Sequence, residues 1–287
     1  MASNIIKGNS MWKYTLIRLR RNYLAVAGFV VIALLILVAV FAERIAPYGY
    51  SDQDYMMIRK SPSAAHWLGT DEFGRDVLSR LIYGSRISLQ VGFIAVSISL
   101  VIGGAIGAVA GYFGGKTDNI LMRIMDVQLA IPTILLAIVI SSALGPGLFN
   151  LMVAVGITHI PNFARLMRAS VLSVKGMEFI EAARAMGATH KRIILMYIMP
   201  NSIAPVIVQA TLSVANAILF AATLSFLGLG IQPPYPEWGG MLSAARPYLR
   251  GNSYLSIFPG LAIMITIVAL NCIGDGLRDA LDPKQKR

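Results

Sequence analysis

The sequence predicts an all-α, polytopic membrane protein: six transmembrane helices, with a compact helical loop on one membrane face. Three observations carry this. Hydrophobic residues make up 56% of the 287 and the mean hydropathy is +0.66, above the roughly 45–50% apolar content of soluble domains. The apolar residues are gathered into long charge-free runs. Lys and Arg flank those runs and fall unequally on the alternating connections between them.

Residues 1–21 hold Lys7, Lys13, Arg18, Arg20 and Arg21 and no acid. Trp12, Tyr14, Leu16 and Ile17 are interleaved with them, which fits a short amphipathic helix on the membrane surface. A disordered basic tail fits the first ten residues equally well. Asn22–Ala42 is uncharged, and twenty-one residues at about 1.5 Å each cross the roughly 30 Å hydrocarbon core. A cleaved signal peptide ending at Val40-Phe41-Ala42 is the competing reading. Its apolar region would run to only about 7–15 residues, so this is read as a retained first span.

Residues 43–86 balance six acids against six bases and are punctuated by Pro47, Gly49, Pro62 and Gly69. Metal ligation by Asp71, Glu72 and Asp76 is the sharper reading. A folded loop held by an Asp/Arg hydrogen-bond network is the favoured one. Ile87–Gly115 is the second span. Gly103, Gly107, Gly111 and Gly115 recur there at every fourth position, a ladder that lets another helix backbone approach closely. Packing inside the chain is favoured; contact with a second membrane subunit is the alternative. Gly115-Lys116-Thr117 imitates the tail of a phosphate-binding loop. Ala110 stands where that loop needs its first glycine, and no strand precedes it, so no nucleotide site is assigned.

Val127–Ala164 is too long for one crossing and is divided by Gly145-Pro146-Gly147 into spans of about 121–143 and 148–166, with a kink at Pro132. Ile193–Pro236 is uncharged and holds a span near 203–230. Gln232–Gly240, with three prolines, reads as a stiff turn with interfacial aromatics. A last span covers about 254–274. The resulting division is 1–21, a basic segment; 22–86, first span and loop; 87–274, a five-span core interrupted near 167–201; and 275–287, a tail. Six spans place both termini on one side. That side carries seventeen Lys and Arg, the other eight, so the termini and the 167–201 loop are read as cytoplasmic.

That loop is the polar centre of the chain. Met177–Met186 are good helix formers. Phe179, Ile180, Ala183 and Met186 form a small apolar face at roughly helical spacing. Gly187 interrupts as a left-handed C′ glycine does, Thr189 is placed to cap a second helix, and Pro200 ends or redirects it. The segment predicts helix, tight bend, helix.

Glu181-Ala182-Ala183, three residues, Gly187, and a proline at 200 resemble the EAA coupling loop of ABC importer membrane subunits. Tyr197 and Met199 stand where that pattern has isoleucine and leucine. A second stretch, Gly69-Thr70-Asp71-Glu72-Phe73-Gly74-Arg75-Asp76, resembles the signature of the C-type permease of oligopeptide, dipeptide and nickel importers. The two motifs sit about a hundred residues apart in the expected order, and the resemblance covers nearly the whole chain. The resemblance implies a type I importer permease in a bacterial inner membrane, with no cofactor of its own, ATP and Mg being held by separate subunits. It implies a B-type permease, two ATPases and an extracytoplasmic binding protein as partners. Peptides are the implied cargo, with nickel or another small solute as alternatives. Glu181, Ala182, Ala183, Arg184, Gly187 and Pro200 are the implied coupling residues.

Other classes fit less well. The net charge of +11 does not form the aromatic-interleaved patch that nucleic acid requires. An ion-driven carrier keeps ionisable groups in mid-membrane, whereas Asp126 and Asp275 sit near span ends. An intramembrane metalloenzyme lacks its His-Glu-x-x-His motif; His159 reads as a packing residue. Cys272 is single, so no internal disulfide forms.

Overall fold

The computed structural model describes residues 17–281. The readings of residues 1–16 and of the tail beyond Leu281 lie outside them. Among the described residues there is no strand, only an isolated antiparallel bridge between Thr70 and Asp76.

Helix α1 covers Tyr23–Val40 and is capped by Asn22, whose side chain accepts from the Ala25 amide at 3.1 Å. It is apolar on all sides and buries only Ala25, Gly28, Ile32 and Ala39. Helix α2, Val77–Phe113, is 37 residues long, or roughly 55 Å. It starts ten residues before the span read at Ile87. Arg80 and Arg86 ended the apolar run in the sequence, yet both find partners at the helix surface. Asp76 caps the start, accepting from the Ser79 amide at 2.7 Å.

The span read over 121–143 is two helices, α3 (Gly115–Ala130) and α4 (Thr133–Leu144), meeting at 91°. Pro132 does more than kink one rod. It lacks the amide that would continue α3, and Ile131 before it is extended, as proline demands of its predecessor. Helix α5 runs Leu148–Lys175, α6 Glu178–Ala185, α7 Met199–Phe226, α8 Trp238–Ala245 and α9 Tyr254–Leu281. The turn expected at 232–240 contains the start of α8, capped by Glu237.

Four of these segments are long and apolar enough to cross a membrane: α1, α2, His190–Phe226 and α9; the α3–α4 pair makes a fifth if it counts as one bent span. The sixth expected crossing falls on α5, which has the length but includes Asn150, His159, Asn162 and Arg165. Its position explains this. Leu151, Val155, Phe163, Met167 and Val171 of α5 are buried in the main apolar cluster with Val91 and Val96 of α2 and Ile218 and Leu224 of α7. A helix enclosed by other helices need not itself be lipophilic all round. The outer helices are the reverse: Leu34, Val101, Val139 and Val268 all point outward, as expected where lipid replaces water.

Candidate functional site

The polar segment after α5 folds as helix, bend, helix. Ile180 and Ala183 are buried, Ile180 in the cluster that contains Ile193 and Ile198. The apolar face read from the sequence is thereby split. Phe179 and Met186, expected beside Ile180 and Ala183, are 39% and 78% exposed. With Ala182 they form a stripe at i, i+3 and i+7, offset from the buried pair. Glu181, Ala182 and Arg184 are also exposed.

Gly187 has φ +81°, and the Ala188 amide donates to the Ala183 carbonyl at 3.0 Å, the six-residue closure of a Schellman end. A Cβ there would meet nothing within 4 Å, so glycine is required for conformation and not for space. Thr189 caps His190–Arg192 through its hydroxyl and the Arg192 amide, 3.4 Å. Pro200 does not end this helix. Ile193–Ile198 take a π turn, and the Met199 amide reaches the Ile194 carbonyl. The wider register carries the chain past the proline that lacks an amide. The Asn201 side chain takes the Tyr197 carbonyl at 2.6 Å.

Tyr112, unmarked in the sequence reading, links this knob to α2. Its hydroxyl lies 2.7 Å from His190 Nδ1, and the Arg184 guanidinium sits 5.6 Å from its ring centre. Lys175 reaches the Gly111 carbonyl at 3.5 Å. An aromatic closing an apolar run was the available signal.

The glycine ladder faces α5. A Cβ on Gly103 would lie 2.5 Å from the Ile160 carbonyl oxygen; one on Gly107 would strike the Ala164 carbonyl; one on Gly111 would lie 2.9 Å from Val171 Cβ. Gly115 does not belong to this row. The helix ends at Phe113 with Gly114 as its cap, and Gly115 opens α3 with φ +53° and open space around it.

The second motif sits at the other end of α2, roughly 50 Å from Tyr112. Asp71 accepts from Arg75 Nε at 2.6 Å and from the amides of Phe73 and Arg75 at 2.9 and 3.0 Å; Arg80 Nε is 3.3 Å away. Asp76 holds Ser79 and, at 3.0 Å, His66. Thr70 accepts from the Lys60 amide at 2.9 Å and donates to the Met57 carbonyl. Gly69 and Gly74 have φ +81° and +74°, and a Cβ on Gly74 would enter the Asp54 backbone. Arg80 ties the Tyr50 and Pro234 carbonyls together at 2.9 and 3.2 Å. This is the Asp/Arg network expected of the loop. Burial pushes the Glu72 carboxyl above its ordinary range, and burial does the same to Glu237. The knob and this network are therefore two sites joined by one long helix.

Residues 103–287 match the family of binding-protein-dependent transport system inner membrane components, and residues 10–62 match the N-terminal TM domain of oligopeptide transport permease C. A dipeptide transport system permease protein of Alkalihalophilus pseudofirmus is 48% identical over 96% of this chain and 91% of its own length. A glutathione transport system permease protein of Pectobacterium atrosepticum is 46% identical over 96% and 92%. A di/tripeptide transport system permease protein of Pseudomonas aeruginosa is 46% identical over 91% and 88%. Among solved structures, the inward-facing MetNI methionine ABC transporter aligns with TM-score 0.57 and 20% identity over 70% of this chain and 96% of the other, a likeness of fold. The chain belongs to the family of inner membrane components of binding-protein-dependent transport systems, and is the permease subunit of an ABC importer.

Proposed function

We propose that this permease forms half of the pathway for short peptides, and that α6 with its Gly187 bend is the arm through which separate ATPases drive it. The observation that carries the arm is the two-sided character of α6. Ile180 and Ala183 fix one side to the helical core, while Phe179, Ala182 and Met186 leave an apolar stripe exposed beside Glu181. A helix so held is rigid towards its own subunit and open towards another. Ala182 permits close approach, and the Glu181 carboxylate is available to a basic partner group. Motion of α6 would pass through Tyr112 and the π turn to α2 and α7.

The excess of Lys and Arg on the knob's side supports a cytoplasmic placement of α6 and of both termini. The length of α5 and its burial among the other helices support counting it as a sixth, enclosed crossing. The names of the relatives, dipeptide, di/tripeptide and glutathione permeases, support peptide cargo. The full importer then comprises a B-type permease, two ATPases carrying ATP and Mg, and a binding protein docked on the loops at 43–86 and 231–253.

The test is Glu181→Lys and Gly187→Pro in the reconstituted importer. Both variants should insert and assemble, while peptide taken up per ATP hydrolysed falls sharply. Normal uptake in both would refute the arm.

A further inference from the structure

At the end of α2 away from the knob, a cavity of about 580 Å³ opens between five stretches of chain. Such a volume falls within the roughly 300–1,000 Å³ of small-ligand sites. Its charged wall is Glu43 and Arg86, with Arg86 Nη1 3.2 Å from Glu43 Oε1. Its aromatic wall is Tyr50, Tyr83 and Tyr235: Tyr50 lies edge-on to Tyr83 at 5.2 Å between centres and stacks on Tyr235 at 6.2 Å.

Both walls are fixed. Arg86 Nε donates to the Ala39 carbonyl at 3.0 Å and Nη2 to the Val40 carbonyl at 3.2 Å. Those two bonds and the Glu43 bond use three of the five guanidinium N–H groups, leaving two donors. Glu43 is 73% exposed, so its carboxylate keeps acceptor sites free. The tyrosine wall is held by Arg80 on the Pro234 carbonyl, by Trp238 Nε1 on the Leu81 carbonyl at 3.1 Å, and by close packing of the Pro236 carbonyl against Gly84.

A group of each sign, side by side, facing a short aromatic wall is complementary to a small zwitterion with an intervening apolar part. We propose that this cavity is a receiving site for short peptides with free termini, Arg86 taking the carboxylate, Glu43 the ammonium, and the tyrosines the backbone and side chains between. The assignment rests on the peptide cargo proposed above. It makes the permease a recogniser of free termini in its own right, before cargo enters the pathway. A dipeptide, at most roughly 7 Å long when extended, is small against a cavity of about 580 Å³.

The test uses the assembled importer in lipid nanodiscs, with Cys272→Ser and a reporter, Gln232→Cys, at the exposed rim. Maleimide labelling of the reporter is followed with and without dialanine, or N-acetyl-dialanine amide as a probe lacking both charges. Dialanine uptake by the wild-type importer with its binding protein is measured in parallel. The proposal expects dialanine alone to slow labelling. Arg86→Gln or Glu43→Gln should raise the concentration giving half protection about tenfold, the effect of one charge-assisted hydrogen bond. Equal protection by the blocked probe, no protection despite normal uptake, or a reporter already inaccessible because another subunit fills the cavity would each overturn the receiving site and leave the peptide importer standing. Absence of both uptake and protection would overturn the peptide cargo as well.

Discussion

Two glycines three residues apart on α2 should respond in opposite directions to the same methyl group. Gly→Ala inside a helix contributes about 1 kcal/mol through propensity. At Gly104 the new Cβ meets only the far end of Met167, at 3.7 Å, so the propensity gain stands. At Gly107 it strikes the Ala164 carbonyl and lies 2.9 Å from both the Arg168 amide nitrogen and Met167 Cβ. Backbone atoms cannot rotate aside, so α2 and α5 must separate, at an overpacking cost of about 1–3 kcal/mol. The two variants should differ by that cost. At about 2–4 °C per kcal/mol for chains of this order, the separation is several degrees. The assay is the temperature at which the purified importer loses its monodisperse size-exclusion peak. Gly104→Ala should match or exceed wild type and Gly107→Ala should fall below it. Equal midpoints, or a higher one for Gly107→Ala, would refute the claim that the ladder is an internal seam.

Asp71→Ala should be far more damaging than Asp126→Ala. The first leaves Arg75 and Arg80, both almost fully buried, without their shared carboxylate, at about 3–5 kcal/mol. The second removes an exposed pair with Arg165, at about 0–1 kcal/mol; thermal midpoints of the two variants check this. Glu237 governs a pH dependence. Its folded pKa is raised by burial above the ordinary 4.5, so its contribution is complete below that value and is lost as pH rises through the folded pKa. Glu237→Gln should flatten the fall of the thermal midpoint with rising pH above 4.5, and an unchanged slope would contradict it.

How much of this was legible depended on whether the deciding interaction was local. Gly187 and Thr189 were readable because a left-handed C′ residue and a hydroxyl cap are settled within a turn. The Asp71–Asp76 network was readable as a class, since acids and bases alternate in one short loop. The start of α2 was not, because Arg80 and Arg86 appear to end an apolar run until their partners, the Tyr50, Pro234, Ala39 and Val40 carbonyls, are known. Asp76 and Ser79, a cap and its donor, were the missed local signal. Pro200 misled because a π turn six residues long absorbs it, and no residue announces such a turn. Phe179 and Met186 looked like core. Only the packing of Ile180 and Ala183 reveals which half of the apolar arc is spare. Helix α5 was read over 148–166 but runs on to Lys175, because Arg165 and Arg168, which break the apolar pattern, pair with Asp126 and Asp118 of α3.

The proposed contact between the exposed stripe of α6 and an ATPase can be tested in place. The most direct measurement replaces Phe179 with the photo-reactive p-benzoylphenylalanine, irradiates the intact importer in membranes, and identifies the adduct by mass spectrometry. A covalent adduct with an ATPase subunit is expected, lost when the same group is placed at buried Ile180. Adducts only to lipid, or to proteins outside the membrane's inner face, would contradict it.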